Sequence, residues 1–560
     1  MSDGSKEREP NRWYELSVRY AGPSTITFGD SAIAVTGTAF FEHDATGEPI
    51  LQFDLYDWEQ AEGLFEAVGL YQWFERVGHA GAKSVTIQDD RGTLVASGRV
   101  RCAQCIQRLG SPDHPATLRF EASSYTYSTN TASKETCFAM PLVNLVLASF
   151  GRWHELPKVI GQHPLRIYPT PEVAGDPSNP EVRFERDRKN RVIAFPLDDG
   201  FCYIEALPEY KEVRERLSSE TISRGITAML VGGSLSRNPS ISDKESSFRH
   251  DLLNLLDLAS GHHTGSPWIE YRDSNGLLSR REHSPSIAPK WKSFHPVLDD
   301  DQKPDAAYFL SLGLSRTEIS SRSTRLLISH MTDAGCAGLT LDDKITNLAR
   351  AFEILGRECG CSSQVLRDSL TQESREFVAD ELRKCRTAIF RLSRKKGRQT
   401  DRATLERIAG RVDNADRKEN AFGLIVAAVC EKLGLEDYTA LHALDSSRQM
   451  SWSDFLSKIR GCVLHEGGLD FGSGDWTPTE VYDVCTHLLD LLIRVLMKRL
   501  GSQEPYFSPI RPFQQLRALD WVTEQTQVTE LLPCFGGIKQ AAIEDSDEDE
   551  SVLPPDAELN

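Results

Sequence analysis

The sequence predicts an α+β protein in which a β-rich N-terminal half precedes an all-α helical bundle. Two patterns carry this expectation. Before residue 160, short runs alternate apolar and polar residues between turn-forming ones. After residue 340, apolar residues recur at i, i+3, i+4 and i+7. At 560 residues the chain has room for two or three cores. The expected divisions are a flexible N-terminus at 1–12, a β-rich domain at 13–160, an α+β region at 161–320, a helical bundle at 321–507 and a C-terminal extension at 508–560.

In the β-rich part, Trp13–Tyr20, Ile50–Tyr56, Val85–Ile87, Leu94–Val100 and Leu118–Tyr127 read as strands. Asp89-Asp90-Arg91-Gly92 supplies the turn of one hairpin, and Ala61–Val77 reads as a helix interrupting the run. In the next part, Val182–Phe184 and Val192–Phe195 flank a Lys189-Asn190 turn. His250–Ser260 places Leu252, Leu255, Leu256 and Ala259 on one helical face and ends at Gly261. Trp268–Arg272 and Leu277–Arg281 flank Asp273-Ser274-Asn275-Gly276, a hairpin signal. Cys102 and Cys105 form a lone CxxC without the second ligand pair that zinc needs, and no metal is expected. The adjacent His262 and His263 diverge if extended and are expected as surface or loop residues. With no P-loop, GxGxxG, GxSxG or HExxH in this half, it reads as a recognition or scaffold region.

The net charge of −18 argues against a general nucleic-acid coat but leaves room for a local site. Part of the acidity lies in Glu544–Glu550, EDSDEDE, which is expected to be disordered. Against it stands Arg391–Arg402, RLSRKKGRQTDR, whose Arg394, Lys395 and Lys396 are candidate contacts to a phosphate backbone. The N-terminal MSDGSKEREPNRW lacks an apolar segment, so no signal peptide is expected. The apolar run near 481–500 is broken by Asp483, His487, Asp490 and Arg494, which argues against a bilayer span. A cytoplasmic protein with reduced, mostly buried cysteines is expected.

Within the bundle, Ile345, Leu348, Ala349, Phe352 and Leu355 mark one helix, with Asp342 as its cap. Leu366, Leu370, Phe377, Leu382, Cys385 and Ile389 mark a second, and Leu405–Val412, Phe422–Leu433 and Val481–Leu500 mark three more. The chemistry points to Ser451–Asp470, where a helix capped by Ser453 carries Arg460 and His465 before Gly467-Gly468. Five residues turn an α-helix by roughly 500°, leaving the two side chains about 140° apart. They converge only if the last turn unwinds at the glycines or two copies of the helix meet. Such a pair suits RNA cleavage by the 2′-hydroxyl, since histidine moves protons near neutrality and arginine matches phosphate geometry.

Arg460-Gly-Cys-Val-Leu-His465, followed by Glu-Gly between long helices, resembles the R-x(4–6)-H signature of HEPN domains, most closely the ApeA-like branch. NLARAFEILGREC resembles the first HEPN helix, with Glu353 following Phe352, and LMKRLGSQEPYF resembles the exit from the last. The similarity covers about 340–507 and extends more loosely to LLNLLDLASG and WIEYRDSNGLLSRREH. Gly461 departs from the pattern, standing where HEPN nucleases often carry Asn. The resemblance implies a metal-independent, cofactor-free, dimeric endoribonuclease. His465 would transfer the proton, Arg460 would hold the scissile phosphate and Glu353 would orient one of them; Lys458, by its closeness in sequence to Arg460, is a further candidate for the phosphate site. It further implies cleavage of host RNA such as tRNA in anti-phage abortive infection, with the N-terminal half answering a phage-derived trigger. The alternatives are a non-catalytic HEPN dimerisation or regulatory module, and a ligand-binding protein with its pocket in the β-rich half.

Overall fold

The computed structural model describes most residues between 20 and 531; the longest internal stretches outside the description are 63–83, 148–191 and 235–244. The expected strand at Trp13–Tyr20, apart from Tyr20, and the expected helix at Ala61–Val77, apart from an isolated position, lie outside it, as do Val182–Phe184, Lys396 and the acidic tail. The fold is α+β, with strands prevailing in the N-terminal half and helices in the C-terminal half. Two compact units form, residues 1–338 with 497–507 and residues 339–496 with 508–560.

The first unit is built on one antiparallel sheet. Its strands are β1 (Tyr20–Phe28), β2 (Ile33–His43), β3 (Pro49–Leu55), β4 (Ser84–Gln88), β5 (Gly92–Ser97), β6 (Arg101–Ile106) and β7 (Ala116–Glu121). They continue with β8 (Ser124–Thr129), β9 (Glu135–Val143), β10 (Val192–Leu197), β11 (Gly200–Ala206), β12 (Ile226–Ser234), β13 (Trp268–Asp273) and β14 (Leu278–His283). The order is β10-β11-β12-β9-β13-β14-β8-β5-β4-β1-β2-β3-β7-β6. Strands from both sides of residue 160 thus share one sheet. Burial alternates along β4 and β5, as for strands with one covered face, whereas β13 is buried along its whole length. The single strand expected over Leu118–Tyr127 is two. Small residues at 122–124 let the chain bend, so β7 pairs with β3 and β6 while β8 pairs with β5 and β14. The β13–β14 hairpin pairs as its turn sequence predicts.

Helices α1 (Tyr210–Ser218), α2 (Glu245–Ser260), α3 (Ala306–Leu314) and α4 (Arg322–Gly335) complete this unit. Both His262 and His263 lie in the loop that follows α2, where Gly261 at φ 77° turns the chain; the expectation of a surface position fails for His262 alone, since His263 is half-buried. His262 is buried, with Nε2 donating to the Asn144 carbonyl. His263 lies between Asp257 and Asp333, each 3.2 Å from a ring nitrogen. Burial pushes the His262 pKa down to about 4. For His263, burial acts in the same direction but the two carboxylates prevail, holding it up at about 10.

The second unit is helical: α5 (Leu341–Glu358), α6 (Gln372–Ser393), α7 (Arg402–Asp413), α8 (Phe422–Leu433), α9 (Asp437–Leu441), α10 (Trp452–Gly461) and α11 (Pro478–Arg499, whose last residues group with the first unit). It is not purely α, since the antiparallel pairs Ser363–Val365 with Arg417–Glu419 and Leu444–Asp445 with Met450–Ser451 tie helix ends together. α5 buries Ile345, Leu348, Ala349, Phe352 and Leu355 as its periodicity predicts, each large side chain contributing about 1.5–3 kcal/mol. Its cap is Thr340 rather than Asp342, because the Thr340 hydroxyl accepts from the Asp343 amide. In α6 the expected apolar stripe is not a core stripe. Phe377 is 67% exposed, and Ser393 is the helix's buried residue among those described. α11 is buried nearly all round, including His487, Asp490 and Arg494. Among the described residues, no helix is long and apolar enough to cross a membrane.

Candidate functional site

Helix α10 starts where the Ser451 hydroxyl accepts from the Asp454 amide, so the cap is Ser451 and not Ser453. Its buried residues Trp452, Phe455, Leu456 and Ile459 stand at i, i+3, i+4 and i+7. The helix lies close against α8. A Cβ on Gly423 would sit 1.7 Å from the Ser453 carbonyl oxygen, and the Gly423 amide donates to the Ser457 hydroxyl at 2.8 Å. This packing leaves Arg460 at the edge of the buried stripe, with its side chain 25% exposed.

The helix then changes its winding. Cys462–Glu466 is a π-turn, closed by Gly467 at φ 89°, whose amide donates to the Cys462 carbonyl. Bonding from i to i+5 widens the turn, so five residues come close to one full revolution. Arg460 and His465 therefore meet within one chain, with Arg460 Nη1 3.0 Å from His465 Nε2. The last turn is thus under-wound relative to an α-helix and is closed by Gly467, one of the two routes to convergence that the sequence leaves open. Gly461 keeps helical angles, φ −58° and ψ −47°, and a Cβ there would meet nothing within 4 Å. Its lack of a side chain is no steric requirement of the contact.

Glu353 completes the cluster. It projects from the second half of α5, and its Oε1 accepts from Arg460 Nη2 at 2.6 Å. A guanidinium has only donors, so in this contact Nε2 of His465 is the accepting atom. Arg460 is thus held at both ends of its guanidinium, and its buried Nε has no partner among the described residues. His465 itself is exposed.

Sequence reasoning missed a second anchor from α5. Asp342 Oδ1 accepts from the Leu469 amide at 3.2 Å, fixing the chain just past His465. Asp342 and Glu353 are eleven residues apart, about three turns, and so share a face within about 20°. That spacing was the available signal. Its meaning depended on knowing what lies opposite.

The other candidates do not join the cluster. Lys458 is about 200° round α10 from Arg460, with its ammonium 5.2 Å from the Trp476 ring centroid. Arg394 and Lys395 are exposed at the C-terminal end of α6. Among the described residues, no group of three or more His, Cys, Asp or Glu side chains is placed to hold a metal ion. The cluster combines a fixed cation, an imidazole open to solvent and a carboxylate. That set can accept or return a proton beside a phosphate while the cation offsets its charge. Comparison with protein-family models, with curated proteins and with solved structures finds no match to this chain.

Proposed function

We propose that the chain is a HEPN-type endoribonuclease of the ApeA-like kind, working without metal or other cofactor. The observation that carries this reading is the contact of Glu353, Arg460 and His465 within one chain. The resemblance had implied those residues from sequence alone. In the proposed reaction the RNA 2′-hydroxyl loses its proton and attacks the adjacent phosphorus, the P–O5′ bond breaks, and the departing 5′-oxygen takes up a proton, leaving a 2′,3′-cyclic phosphate and a 5′-hydroxyl. His465 exchanges the proton, Arg460 offsets charge developing on the phosphate, and Glu353 holds the guanidinium in place. Lys458 is a peripheral cation in this scheme. Leu464 and Phe471 are 38% and 39% exposed close to His465 in sequence. They support the proposal that two copies pair around this segment, bringing two sites together. Host RNA, tRNA among it, is the proposed substrate in anti-phage abortive infection, with the β-rich unit answering a phage-derived trigger in the cytoplasm.

A second reading, a non-catalytic HEPN module, is favoured by a specific feature. Both ends of the Arg460 guanidinium are already engaged, as in a purely structural bridge. A cleavage assay on total tRNA and a long RNA in excess EDTA separates the two. Wild type should leave 2′,3′-cyclic phosphate ends, and Arg460→Ala and His465→Ala should not. Cutting that persists in both variants would place the chemistry elsewhere. Toxicity on overexpression that survives both substitutions would favour the non-catalytic module.

A further inference from the structure

Helices α6 and α7 form an antiparallel hairpin that packs chiefly on itself. Ser393 in α6 and Ala409 in α7 are its buried residues among those described, and they mark the seam. Residues two positions away lie about 160° from that seam. Arg391 stands in this way to Ser393, and Arg407 and Arg411 to Ala409, while Arg394 and Lys395 follow the end of α6. All five are exposed, and none of them makes an ion pair among the described residues.

Charge separates the two halves of the hairpin. Residues 372–389 hold four acidic and four basic side chains, several paired along the helix as in Asp380 with Arg383 and Lys384. Residues 391–411 hold eight basic and two acidic ones. A local excess of six positive charges in a chain of net −18 is not a by-product of composition. Among the described cations, Arg391, Arg394 and Lys395 cluster where α6 ends, while Arg407 and Arg411 lie further along α7, all of them exposed. That geometry suits sequence-independent attraction of a polyanion.

We infer that the distal end of the α6–α7 hairpin is a docking arm for the phosphate backbone of single-stranded RNA, separate from the Glu353–Arg460–His465 cluster. The choice of RNA as the polyanion rests on the proposed ribonuclease reading. Exposed apolar residues lie both near the start of α6, at Leu370 and Phe377, and among the cations, at Leu392 and Ile408, so it is the charge excess that favours a polyanion over a protein partner at this end. The arm would raise the local concentration of substrate without touching the scissile bond, so it would act on KM and leave kcat in place.

The test is binding of a fluorescein-labelled, mixed-sequence RNA of about 20 nucleotides by the full chain carrying His465→Ala, across a salt series. Two triple variants of equal charge change are compared. One is Arg391→Gln with Arg394→Gln and Lys395→Gln; the other is Arg375→Gln with Arg383→Gln and Lys384→Gln. The distal triple should weaken binding about tenfold or more and flatten the salt slope by about 0.7 for each phosphate no longer neutralised. The other triple should change affinity less than about twofold. Equal effects of both triples, or no RNA binding by the parent chain, would overturn the inference. So would unchanged affinity with a changed oligomeric mass, which would make the arm a protein interface. Cleavage by the wild-type chain is scored separately. Binding through the arm without cleavage would retain the arm and remove the nuclease; cleavage without an effect of the distal triple would do the reverse.

Discussion

Two clusters in the helical unit are made from the same ingredients and differ in their access to water. In one, Arg494 donates to Asp437 through both terminal nitrogens at 2.8 and 2.7 Å and to Asp490 through Nε at 2.9 Å. His487 links Trp452 to Asp437, and the Ser508 hydroxyl donates to Asp490. Every charged group in it is sealed. In the other, Arg460 bridges Glu353 and an exposed His465, and one guanidinium nitrogen is left over. The sealed cluster has its hydrogen bonds filled and no route to a substrate. Although burial disfavours an ionised Asp437, Arg494 and His487 hold its carboxyl well below the usual range. The comparison shows that arginine, carboxylate and imidazole do not by themselves indicate catalysis; solvent access separates a fastener from a candidate reaction centre.

The largest expected effect tests the fastener. Arg494→Leu leaves two buried carboxylates uncompensated and should cost about 3–5 kcal/mol in urea unfolding. A cost under about 1 kcal/mol would mean that the network is not what holds α9 to α11. His465→Ala should do the opposite, lowering cleavage by about 10²–10⁴ while shifting stability by no more than about 0.5 kcal/mol, as for an exposed residue. Asp342→Ala should reduce kcat about tenfold to a hundredfold by releasing the chain after His465. Asp342→Asn, whose amide oxygen can still accept from Leu469, should restore most of it. If both variants lose activity alike, the anchor is not the cause. Gly461→Ala should stabilise the unit by about 0.5–1 kcal/mol with cleavage unchanged, since nothing opposes the added methyl. A loss of cleavage there would show that the glycine's flexibility is used.

The smallest effect sharpens a similar contrast in the first unit. His263 is held at about 10 between two carboxylates, above an unfolded value near 6.5. Its contribution is therefore complete below about pH 6.5 and is lost as pH rises through about 10. The stability difference between wild type and His263→Gln should shrink over that window. His262, lowered to about 4, should show the reverse, losing stability as pH falls from about 6.5 towards 4. A flat difference for His263 would mean that Asp257 and Asp333 do not hold its proton.

Much of this was legible in the sequence for a physical reason. α8 begins at Phe422 and ends at Leu433 as its periodicity and Gly434 predict, because local patterning and a left-handed cap suffice to set it. The β4–β5 and β13–β14 hairpins followed from their turn residues. Arg460, His465 and Glu353 were each named, but their meeting was not derivable from α-helical geometry. The π-turn that joins two of them leaves no composition signature, and the third lies over a hundred residues away. His262 and His263 lie in the loop expected of them, but the burial of His262 was not legible, because the carbonyl it meets belongs to Asn144 on a distant segment. Strand order was equally out of reach, since β9 lies between β12 and β13 in a sheet built from distant pieces.

The ends of that sheet have a consequence of their own. An unpaired strand edge is a template on which another chain can polymerise. Among the described residues, β10 at one end carries Pro196, which has no amide proton to offer. At the other end, the register of β6 jumps between Cys102 and Gln104, and such a bulge breaks the even ladder a newcomer would need. Neither edge presents a regular template, so a fourteen-stranded sheet remains finite.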